Sequence, residues 1–192
     1  MISYQELKNS LYGAYRLAWA DRSGMAYFNV SLNGFWKSFF AAILVAPLFL
    51  ALIIIRFRAE SSGISAFRFI AVEFIAYIIG WTLFPLIMYS LASNLNRVNE
   101  YFAFIIAYNW ASVIQNGVYV PFAILTQVGL FTGPNAGMIN LIILVLVVLY
   151  TWFIACTALR ISGVMAGGIV LLDVGLWIIL SFFAETMLVP AF

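Results

Sequence analysis

At 192 residues the chain is 66% hydrophobic and only 8% charged, with a mean hydropathy of +1.08. Soluble domains carry about 25% charged residues, so a water-facing shell is excluded and lipid must solvate most of the surface. The net charge of +2 comes from scattered basic residues and excludes nucleic acid as a partner; with no histidine and one cysteine, Cys156, imidazole metal sites, the usual general base, an internal disulfide and a thiolate cluster are excluded too, and no cofactor is expected.

Residues 1–34 read as an N-terminal amphipathic, interfacial segment. They lack the short apolar core of a translocation signal, so an uncleaved cytoplasmic start is expected. Ser3 can cap a helix with Glu6 three residues on, as in a capping box. Leu7, Leu11, Ala14 and Ala18 then share one stripe, flanked by Tyr12, Tyr15 and Trp19. Such a helix either lies at headgroup depth, with Lys8 and Arg16 near lipid phosphates, or packs onto its own bundle. Asp21-Arg22-Ser23-Gly24 and Ser31-Leu32-Asn33-Gly34 are turn signals around a short apolar patch at residues 25–30, which reads as a surface turn or half-helix.

Residues 35–192 read as an all-α, polytopic membrane helical bundle of about five transmembrane helices, each needing roughly 20 apolar residues. The first span, residues 38–55, is bracketed by Lys37 and by Arg56 with Arg58, and holds Pro47; the second, residues 67–91, holds Pro85. The third, residues 101–131, is the most informative. It carries Asn109, Ser112, Asn116 and Gln127 on one narrow helical stripe, and Pro121 with Gly117 four residues before it, the offset at which a proline ring meets a carbonyl and kinks a helix. Splitting it near Asn116-Gly117 would leave halves of about 15 residues, short for a span. The fourth span, residues 138–159, is rich in Leu and Val, and residues 163–189 form the fifth. An odd count puts the termini on opposite sides. With the N-terminus cytoplasmic, Lys8, Arg16, Arg22, Lys37, Arg97 and Arg160 fall inside and Arg56, Arg58 and Arg68 outside, a bias that favours this orientation; the charge-poor chain with its cytoplasmic start points to a multi-pass protein of the bacterial inner membrane, with an organelle membrane as the alternative.

Charges near the bilayer centre cost about 2.5 to 3.5 kcal/mol on insertion scales, so each needs a reason. Asp173 lies about ten residues into the fifth span, near the midplane. Either it accepts a hydrogen bond from Asn109, Asn116 or a tyrosine and holds helices in register, or it faces the amide stripe and forms a translocation path beside broken helices. Glu73 is expected to pair with Arg68, and Glu185 to be solvated near the outer end. Gly163 and Gly167 form a G-x-x-x-G, followed by Gly168 and Gly175 one heptad apart, a pattern that lets helices approach closely, here the fourth and fifth spans or two copies of the chain.

Two short elements carry a resemblance. Leu11-Tyr12-Gly13 is similar to the Asp-Leu-Tyr-Gly-Pro element of the Yip-domain family of five-span, Ypt/Rab-interacting membrane proteins, with Ser10 and Ala14 in place of its Asp and Pro. Ala107-Tyr108 is similar to that family's Gly-Tyr-x-x-x-Pro element, with Ser112 at the proline position. Together with the layout of a polar N-terminal segment before five spans, the chain resembles a bacterial-type relative. The resemblance implies a non-enzymatic scaffold, adaptor or accessory subunit whose partners are the lipid bilayer and other membrane proteins or a second copy. The residues alone leave a small permease or ion pathway as the alternative, and an intramembrane enzyme as a third class poorly served by the available groups.

Overall fold

The computed structural model describes residues 2–60 and 63–189, and all regular structure among them is helical: α1 (Tyr4–Ala18), a 3-10 turn (Arg22–Tyr27), α2 (Leu32–Ser38), α3 (Phe40–Glu60), α4 (Ala66–Asn94), α5 (Val98–Gln127), α6 (Pro134–Ala158) and α7 (Gly163–Leu188). Side-chain caps mark the starts. The hydroxyls of Ser3, Ser31, Ser65 and Ser162 accept the N–H of Glu6, Gly34, Arg68 and Met165, satisfying donors that a helix leaves open. The Ser3 hydroxyl accepts the Glu6 N–H at 3.2 Å, as a capping box requires of its first residue. Ala20 (φ 56°) and Asn96 (φ 56°) adopt the left-handed state just past α1 and α4, where the next N–H turns back to Arg16 O at 3.1 Å and Ala92 O at 2.7 Å.

α5 is the axis of the bundle. α1, α2, α3, α4 and α6 pack against it, and α7 closes the group by packing on α4 and α6. The core is continuous from the N-terminal segment into the long helices, running from Ala14, Leu17 and Phe28 to Phe104, Ile105, Ile106, Trp110, Ile154 and Ile169. α1 therefore lies on the flank of the bundle, with Ser10, Gly13, Ala14 and Leu17 inward and Tyr4, Tyr12, Tyr15 and Trp19 outward. Two glycines explain its tight return. A Cβ on Gly13 would stand 2.8 Å from Gly24 O, and one on Gly24 would stand 2.6 Å from Gly13 O, so only this pair lets α1 and the 3-10 turn touch backbone to backbone.

Among the described residues, four helical stretches are long and apolar enough to cross a membrane: Leu32–Arg58, Ala66–Asn94, Pro134–Ala158 and Gly163–Leu188. That apolarity is compatible with an integral membrane protein. α5 is as long, at 30 residues, but its amides and tyrosines leave it less apolar than those four. The expected first span differs in detail, because Phe39 separates the short α2 from α3. Pro47, Pro85 and Pro121 lie inside helices that continue through them.

Candidate functional site

The polar stripe expected on the third span is carried by α5, and most of it is turned inward. Asn109 is fully buried and donates through Nδ2 to Ser38 Oγ at 2.8 Å, while Ser38 in turn donates to Phe35 O at 2.7 Å. This chain ties α5 to α2. The Asn109 Oδ1 has no hydrogen-bond partner among the described residues. Ser112 donates to Tyr108 O at 3.0 Å and Asn116 to Ser112 O at 2.8 Å, so both satisfy themselves on their own helix. Gln127, the last residue of α5, is exposed and stands apart from the other three.

The acidic residues find partners that differ from the sequence expectation in instructive ways. Asp173 on α7 accepts the Tyr108 hydroxyl at 2.8 Å. Tyr108 precedes Asn109 by one residue and so points about 100° away around the helix; the carboxylate meets a tyrosine beside the amide stripe, while Asn109 itself bonds to α2. Glu73 is 6% exposed and accepts Arg56 Nη1 at 2.8 Å, across α3 and α4. Its expected partner Arg68, one turn closer to the helix start, instead donates to Met187 O at 2.7 Å and Val189 O at 3.4 Å, capping the end of α7. Glu185 is exposed.

Several interior bonds escaped the sequence reading. Gln115 donates to Thr151 Oγ1 at 3.1 Å, joining α5 to α6. Tyr77, Tyr101 and Tyr150 donate to Ala42 O at 2.6 Å, Pro85 O at 2.9 Å and Ala14 O at 2.6 Å. The available signal was tyrosine inside apolar runs, because a phenol that is buried needs an acceptor. The glycines of α7 behave differently from the expected close-packed seam. A Cβ on Gly163 would stand 2.9 Å from the Trp152 ring, whereas Gly167, Gly168 and Gly175 have nothing within 4 Å. Gly117, expected at the kink, is equally open.

At the N-terminal flank, Glu6 accepts Lys37 Nζ at 2.7 Å and Asn29 Nδ2 at 3.2 Å, binding α1 to α2. Burial pushes the Glu6 carboxyl up, but those two hydrogen bonds and the Lys37 charge outweigh it and hold it below the usual carboxylate range. Asp21 is held low as well, first by the Ser23 hydroxyl and N–H and then by Arg16. Arg16 closes this group by donating to Asp21 at 2.7 Å and to the Tyr27 hydroxyl at 3.3 Å.

No family model, curated protein or solved structure matches the chain. The geometry therefore stands alone. Its interior polar groups join α5 to α2 through Asn109, to α6 through Gln115 and to α7 through Tyr108, and Arg56 joins α3 to α4. Chemically, such an arrangement fixes helices relative to one another.

Proposed function

We propose that this chain is a non-enzymatic integral membrane protein that serves as a scaffold, adaptor or accessory subunit, with α3 to α7 crossing a bacterial inner membrane and the N-terminus cytoplasmic. One observation carries the reading: side chains that could have lined a path are engaged in holding helices together. Asp173 is matched to Tyr108, Asn109 to Ser38 and Glu73 to Arg56. A frame of this kind presents constant outer surfaces, which a partner needs. α1 supplies one such surface, with Tyr4 and Trp19 more than 70% exposed on its outer side; aromatic rings suit the membrane interface and protein contacts alike. The likeness to the Yip-domain family belongs to the same proposal, supported by the helical N-terminal segment ahead of five long helices and by the glycine of Leu11-Tyr12-Gly13 at a backbone contact.

The competing reading, a small permease or proton pathway through Asp173, rests on that carboxylate's place inside the bundle between α5 and α7. Two measurements separate them. Crosslinking in native membranes is expected to recover a membrane-protein neighbour, lost in a Tyr4→Ser/Trp19→Ser variant that leaves the buried face of α1 intact. In liposomes with a pH-sensitive dye inside, the purified chain is expected to pass no more protons than empty vesicles. A wild-type flux abolished by Asp173→Asn without unfolding would replace the scaffold with the pathway.

A further inference from the structure

The α6–α7 turn and the 3-10 turn line an open pocket of about 430 Å³, whose walls include the exposed Arg22 and Arg160. Two guanidinium groups sharing one cavity repel each other, and none of the described residues lining it is acidic. Five of the seven other cations are matched, while Lys8 and Arg58 stand exposed. Arg16, Lys37, Arg56 and Arg97 each meet a carboxylate, and Arg68 meets two carbonyls. Arg22 and Arg160 have neither an ion pair nor a hydrogen bond among the described residues. Arg160 moreover adopts φ 53°, a left-handed backbone state that asparagine or glycine would take with less strain.

A further feature points the same way. Gly163, on the cavity wall, opens α7, and the first turn of a long helix offers N–H groups and a positive dipole end to an anion. The position matters as well: the cavity sits where two strongly apolar helices meet, beside Trp152, a residue type that marks the headgroup region. We propose that Arg22 and Arg160 form a phosphate-binding site, filled by the headgroup of an anionic phospholipid. Paired guanidiniums suit a phosphate because each can present two parallel N–H donors to its oxygens. Basic pockets at the ends of membrane helices take lipid headgroups for this reason.

The test uses the purified full chain in detergent, and native mass spectrometry after addition of phosphatidylglycerol or phosphatidylcholine. The wild type is expected to retain phosphatidylglycerol at least about tenfold over phosphatidylcholine, a difference of roughly 1.4 kcal/mol. Arg22→Gln/Arg160→Gln is expected to bring the ratio near unity, while Lys8→Gln, which removes an exposed cation away from the cavity, leaves it unchanged. Cys156 also lines the cavity and is the chain's only cysteine, so its alkylation rate reports occupancy in the unmutated protein. Protection by phosphatidylglycerol supports the lipid assignment. Protection by inorganic phosphate without lipid selectivity keeps the phosphate site but replaces its source with a soluble phosphate. No protection by either, or a preference that survives in the double glutamine variant, overturns the proposal.

Discussion

Along α5, the first half (98–112) and the second half (113–127) have comparable lengths of apolar sequence but different surroundings. In the first, Tyr101, Phe104, Ile105, Ile106, Ala107, Asn109, Trp110, Ala111 and Ser112 are buried; in the second, only Val120 is, and Gly117, Val118 and Tyr119 are exposed. The polar side chains follow this division except at Ser112, which is buried in the first half but bonds to Tyr108 O on its own helix. Tyr101, Tyr108 and Asn109 bond across to other helices, whereas Asn116 and Thr126 bond back to the carbonyl four residues earlier. Gln115, at the boundary, still reaches α6. A polar side chain facing lipid has no water to turn to, so it closes onto its own backbone; one facing another helix can tie the two together. The comparison thus separates amides that assemble the bundle from amides that bond only within their own helix.

The contrast should be largest for packing. Trp110→Ala empties a fully enclosed site and is expected to cost about 3 to 5 kcal/mol, while Val118→Ala is expected to stay within about 0.5 kcal/mol; unfolding midpoints in detergent measure both. Glycine gives the next largest difference. Gly13→Ala drives a methyl group into the Gly24 carbonyl and should cost about 2 kcal/mol or more, whereas Gly117→Ala has open space and should stabilise its helix by about 0.5 to 1 kcal/mol. Equal effects of the two glycine changes would contradict the division.

Smaller effects sharpen it. Asn109→Ala removes the tie to Ser38 and is expected to cost about 1 kcal/mol, against less than about 0.5 kcal/mol for the self-bonded Asn116→Ala. The last concerns pH. Because the Glu6 carboxyl is held below its unfolded value, its contribution is present above that value, near pH 4.3, and fades as pH falls through the lower folded value. Stability measured from pH 6 to pH 3 should therefore fall by less in Lys37→Gln than in the wild type, a difference under about 1 kcal/mol for a partly exposed pair.

How much of this could be read in advance depends on the kind of interaction. Helices and their starts follow from local chemistry, so Ser3 marks the start of α1 and the long apolar runs mark α3, α4, α6 and α7. Partners across helices do not follow, because leucine facing lipid and leucine facing protein look alike in a sequence. Thus Asp173 was legible as a residue needing a partner, but the choice of Tyr108 over Asn109 depends on how α7 is rotated. Likewise the G-x-x-x-G at Gly163 and Gly167 describes a surface that could pack closely; the structure uses only Gly163, to admit the Trp152 ring. The Gly13–Gly24 contact was hidden for the opposite reason, since each glycine alone reads as helix or turn.

The account depends most on α5 running from one side of the membrane to the other at the centre of its neighbours. In a Cys156→Ser background, Asn96→Cys in the α4–α5 turn and Thr132→Cys in the α5–α6 turn can be tested in intact cells with a membrane-impermeant thiol reagent. Labelling of Thr132→Cys at once, and of Asn96→Cys only after permeabilisation, is the predicted result. Labelling of both from the same side would contradict it.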